Sequence, residues 1–84
     1  MIRRSTVTFA ELRQLLADLG FAQSKRGRFW FFQHPASDTV VGFRPYRINE
    51  RVTQIDVDRV RKHLYLRGVL EEQAFDHLLK KATA

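Results

Sequence analysis

The sequence predicts an α+β fold, a three-stranded antiparallel sheet with helices packed on it, in the order α-β-β-β-α-α. Apolar residues recur at helical spacing near the start and in the last third of the chain, and short β-rich runs lie between them. The connections between those runs are too short for crossover helices, so the strands must form an antiparallel meander. At 84 residues the chain is read as one domain, residues 1–84, with 1–7 as a loose lead-in.

The first helix starts at Thr8. Thr8 and Glu11, three residues apart, have the spacing of a capping box. Phe9, Leu12, Leu15, Leu16 and Leu19 form one apolar stripe, and Gly20 closes the helix. Phe21 to Ser24 reads as a strand, Lys25-Arg26-Gly27 as a tight turn and Arg28 to His34 as the second strand, ended by Pro35. After a turn at Ala36-Ser37-Asp38, Thr39 to Arg44 forms the third strand.

Pro45 to Ile55 has no clear period and reads as a loop of about ten residues, long for so small a domain and therefore a functional suspect. Asp56 is the expected cap of a second helix reaching Arg67, with Val57, Val60 and Leu64 inward and Gly68 at its end. A third helix is expected over about 71–81, with Ala74, Phe75, Leu78 and Leu79 apolar. Its acids come early and Lys80 and Lys81 late, matching the helix dipole. Two helices lie naturally across one face of the sheet. The third has three possible places: the same core, the opposite sheet face, or a partner.

The formal net charge is +6, and it is uneven. Residues 21–67 hold ten Lys/Arg against four acids, so the middle of the chain carries the excess. Such a segment serves either solubility or contact with a polyanion. There are no cysteines, which excludes disulfides and thiolate metal sites and fits a cytoplasmic setting. No signal peptide or membrane-spanning run is expected, hence no membrane partner.

Lys25 to Pro35 concentrates the interest, because Phe29, Trp30, Phe31 and Phe32 are consecutive. A strand sends alternate side chains to opposite faces, so both faces of the sheet receive aromatic rings. One face serves the core. The other calls for a second layer, a partner chain or a flat ligand such as a base. Aromatics interleaved with cations suit RNA, the rings stacking on bases and the cations meeting phosphates. The candidate nucleic-acid-binding residues are Lys25, Arg26, Arg28, Phe29, Trp30, Arg44, Arg47, Arg51, Arg59 and Lys62. His34, His63 and His77 lack metal-site spacing, and no Ser/His/Asp grouping or phosphate loop is legible, so no cofactor, metal or catalytic set is assigned.

Several of these features together resemble the HicA (YcfA-like) toxin family: the helix ending at Gly20-Phe21, the basic turn at Gly27, the strand ending His34-Pro35, and the valine-rich strand after it. Val60-Arg61-Lys62-His63-Leu64, Gly68-Val69, Phe75 and Leu78-Leu79 extend the resemblance over roughly residues 8–80. It implies a fold similar to the double-stranded-RNA-binding domain, ribonuclease activity on messenger RNA, and neutralisation by a HicB-like antitoxin. The family carries Gly-Ser-His just after the first hairpin turn. Here Arg28 stands at the serine position, Phe29 at the catalytic histidine position and Trp30 after it. Phenylalanine can neither accept nor donate the proton that cleavage requires. The resemblance therefore implies a non-catalytic or degenerate RNA-binding member. Two alternatives stay open. One is a ribonuclease that uses another residue, with His34, which has a counterpart in the family, as the candidate. The other is a protein-interaction module or homodimer formed through the aromatic strand face.

Overall fold

Phe9 is where the parts of the chain meet. In the computed structural model, which describes residues 3–83, its ring lies 5.3 Å from Trp30, 6.2 Å from Phe32, 5.8 Å from Phe43 and 5.5 Å from Tyr46. The elements are β1 (Arg4–Thr8), α1 (Phe9–Asp18), β2 (Ala22–Arg26), β3 (Phe29–His34), β4 (Thr39–Phe43), β5 (Arg51–Thr53), α2 (Gln54–Leu66) and α3 (Glu72–Thr83). A single 3₁₀ turn, Pro35–Ser37, joins β3 to β4. The three-stranded antiparallel sheet is β2-β3-β4, and a second, two-stranded antiparallel sheet pairs β1 with β5.

The capping box at the start of α1 is complete. Thr8 Oγ1 accepts from the Glu11 amide at 3.2 Å, and the Thr8 amide donates to Glu11 Oε1 at 2.8 Å. Two more first-turn amides, of Phe9 and Ala10, donate to the carbonyls of Glu50 and Ile48. The segment before β5 thus supplies acceptors that a helix start otherwise takes from water.

Several expectations are corrected. Residues 4–7 of the expected lead-in, with Thr8, form β1; residues 1–2 lie outside the described part. Ser5 and Val7 point inward there, and Ser5 Oγ donates to the Val52 carbonyl at 2.7 Å. The stretch 45–55 is not loop throughout, because β5 occupies Arg51–Thr53 and buries Val52 completely. A three-residue strand has no period of its own and exists through its partner. The cap of α2 is Thr53, whose hydroxyl accepts from the Asp56 amide at 3.3 Å; Asp56 lies in the first turn instead. The hairpin turn is shifted too. Arg26 pairs with Phe29, leaving Gly27-Arg28 as the two-residue loop, with the positive φ (61°) at Gly27.

α3 packs on α1, α2 and β1, with Phe75 fully buried, so it joins the core layer, and among the described residues the opposite sheet face is left uncovered. The register defines both faces. Trp30, Phe32 and His34 share one with Phe43, Val41 and Thr39. Phe29, Phe31 and Gln33 share the other with Gly42, Val40, Arg26, Ser24 and Ala22. Phe32, Val41 and Phe43 are buried, whereas Phe29 is 54% and Val40 51% exposed. Among the described residues no helix is long and apolar enough to cross a membrane.

Removing the central ring should be far costlier than removing the cap. Phe9→Ala is expected to lower stability by about 3–5 kcal/mol and Thr8→Ala by about 1 kcal/mol, measured by urea unfolding.

Candidate nucleic-acid interface

A carboxylate lies buried beside the uncovered sheet face. Asp56 is 4% exposed and sits where the end of β4, the start of α2 and the connecting segment converge. Tyr46, ten residues earlier, donates its hydroxyl to Asp56 Oδ2 at 2.5 Å and accepts from the Thr53 amide at 3.2 Å. Two arginines complete the setting. Arg44 Nε is 3.6 Å from Oδ2, and Arg59 of α2 is 3.4 Å from Oδ1 and donates to the Gly42 carbonyl at 2.8 Å. The Arg59 guanidinium also lies 5.7 Å from the centre of the Phe43 ring.

Burying a charge is costly unless it is matched. Asp56 is matched by one hydroxyl and two guanidinium groups that stay about half exposed, so its burial fixes two cations at the surface. They border a groove of ≈ 300 Å³ lined by Phe29, Phe31, Gly42, Phe43, Arg44, Asp56 and Arg59. Gly42 faces Phe31 across the strands. A Cβ at Gly42 would stand 3.2 Å from the Phe31 ring, so any other residue there would push the ring. Arg26, diagonal to Phe31 on β2, places its guanidinium 5.7 Å from that ring's centre.

The candidate residues therefore divide. Phe29, Arg44 and Arg59 share the groove, with Arg26 beside it and Arg28 in the adjoining hairpin turn. Trp30 belongs to the opposite face, its ring half-buried on Phe9 and covered by Lys25 Nζ at 4.8 Å. Arg47 and Arg51 lie next to Glu50 in the β5 region, outside the groove lining. Lys62 is exposed on α2, three residues beyond Arg59 and on the same helix face. Phe31, Gly42, Tyr46 and Asp56 join the candidate binding residues only through the structure. The Asp56–Arg59 spacing was a visible signal, but Tyr46 is brought to Asp56 only by tertiary folding.

His34 stands elsewhere. It is five residues from Phe29, about 17 Å along an extended strand. Its ring packs on Phe21 at 4.9 Å, and Nδ1 is 2.7 Å from Ser37 Oγ, which in turn is 2.6 Å from Thr39 Oγ1. Among the described residues no cluster of His, Cys, Asp or Glu could hold a metal ion.

No protein-family model, curated protein or solved structure matches this chain. The fold and the groove define a small α+β protein with a cation-bordered aromatic face beside a buried, doubly paired carboxylate.

Burial, and then the hydrogen bond to Asp56, raise the Tyr46 hydroxyl above its ordinary 10.0. The unfolded chain loses that proton first. The stabilisation is therefore complete below pH 10 and declines as pH rises through the unfolded value toward the folded one. Thermal unfolding between pH 8 and 11 should show this alkaline loss, and Tyr46→Phe should flatten it while costing about 1–3 kcal/mol at neutral pH.

Proposed function

We propose that this is a small, non-catalytic RNA-binding protein that holds RNA on the uncovered face of its three-stranded sheet. The observation that carries the reading is the grouping of Arg26, Arg44 and Arg59 around Phe29 and Phe31 on a face that no helix covers. Guanidinium forks match phosphate oxygens, and exposed rings give bases a stacking surface. The excess positive charge of residues 21–67 would draw a polyanion toward this part of the molecule.

The resemblance to HicA-type toxins belongs to the same proposal. In its support stand the helix-meander-helix order, the three-stranded sheet and the helices on one face, all compatible with a fold like the double-stranded-RNA-binding domain. The strands β1 and β5 add to that plan. Phe29, at the family's histidine position, lies in the groove, where it contributes surface and no proton chemistry. An antitoxin-like partner follows from the family alone. A second copy is favoured by one observation, the exposure of Phe29 and Val40 on the same sheet face. RNA is the better fit, because three arginines surround that surface and their guanidinium forks match phosphate oxygens.

Fluorescence anisotropy with a labelled RNA at about 50 and 200 mM salt tests the reading. Three to four phosphate contacts predict a loss of roughly 20–50-fold in affinity between those conditions. The RNA should stay uncleaved. Absence of binding at low salt, with the protein running at twice its mass, would contradict RNA binding and favour the homodimer. Cleavage abolished by His34→Ala would establish the ribonuclease alternative instead.

A further inference from the structure

If the RNA reading is right, the groove also specifies which RNA. We infer that it holds an unpaired nucleotide of a single strand, with the base on Phe29 and Phe31 and the adjoining phosphate between Arg44 and Arg59. The inference rests on RNA binding and goes beyond it, since charge alone draws duplex and single strand alike.

The rings carry the distinction. Phe29 and Phe31 lie two residues apart on one strand face, about 6–7 Å along the strand. A ring face is useful to a base only when that base is unstacked, and a duplex keeps its base faces covered. Phe31 lies over Gly42 of the neighbouring strand. It has the Arg26 guanidinium 5.7 Å from its centre, and at Gly42 opposite there is no side chain to displace it. Phe29 stands at the more open end, beside the hairpin turn that carries Arg28.

The cations carry the phosphate part. Arg44 and Arg59 reach the two oxygens of one carboxylate, so Asp56 sets their separation before any ligand arrives. Arg59 spends its contacts with Gly42 and Asp56 through one terminal nitrogen, and Arg44 meets Asp56 through Nε. A guanidinium has five N–H donors, so both retain donors for an anion. The charges of Arg44, Arg59 and Asp56 leave one net positive charge at the groove. Its ≈ 300 Å³ lies at the small end of ligand sites, a size for one nucleotide.

The test compares an unstructured RNA of about 12 nucleotides with the same strand annealed to its complement, using anisotropy at one salt concentration. The single strand is expected to bind at least about fivefold more tightly. Phe29→Ala, at an exposed position where folding is not at stake, should weaken single-strand binding roughly 5–100-fold and narrow its preference over the duplex. Arg44→Gln should reduce the single-strand salt slope by about 0.7. Equal or tighter duplex binding, or an unaffected single-strand affinity in Phe29→Ala, overturns the inference while RNA binding itself stands. Failure of both RNAs to bind overturns the RNA reading as well.

Discussion

A carboxylate taken out of water must be matched by donors and cations of its own protein, and Asp56 is matched on both oxygens. Tyr46 reaches it from the segment after β4, Arg44 from the end of β4, and Arg59 from the next turn of α2. Thr53, the residue that closes β5 and caps α2, accepts from the Asp56 amide through its hydroxyl and donates its own amide to the Tyr46 hydroxyl. One side chain thus ties the two sheets to the helix that lies against them. Breaking such a cluster on one side is expensive, because it leaves the remainder buried and unmatched. The two arginines stay half exposed, so their share is screened by water, and the hydroxyl bond carries the more protected part.

The aromatic strand supplies the second constraint. Alternation along β3 divides four consecutive rings between two surfaces. Trp30 and Phe32 join Phe9, Phe43 and Tyr46 in the core, and Phe29 and Phe31 go outward. α3 does not resolve the outward excess, because Phe75 buries itself against α1 and α2. The uncovered rings and the fixed arginines therefore meet at one edge. In the proposed RNA complex that meeting is the functional feature, with cations placed by a structural carboxylate and rings left over by strand geometry.

Much of this could be read from the chain, for reasons that are local. Thr8, Glu11 and the leucine stripe specify α1 within a dozen residues, and Gly27 with the alternating aromatics specifies the β2–β3 hairpin. The misses are nonlocal. β1 is rich in β-branched residues, but it becomes a strand only by pairing with β5, more than forty residues on, and β5 is too short to show a pattern. Asp56 resembles a cap because it opens a helix. Only the fold shows that Thr53 performs that role and that the carboxylate turns inward to Tyr46. Of the arginines proposed for RNA, Arg44 and Arg59 are gathered by Asp56, while Arg47 and Arg51 fall beside Glu50, a division that charge counting could not make. Trp30 and Phe29 are alike in composition, and alternation along β3 places them on opposite faces.

A buried carboxylate, Asp56, organises the cationic groove. Asp56→Asn tests this most directly, because it keeps the shape and removes one negative charge from the groove. RNA affinity should be measured alongside circular dichroism, at a temperature where the variant is folded. If Asp56 positions the arginines, the folded variant binds RNA more weakly despite its higher net positive charge. If charge alone governs binding, affinity stays the same or rises, and that result would contradict the account.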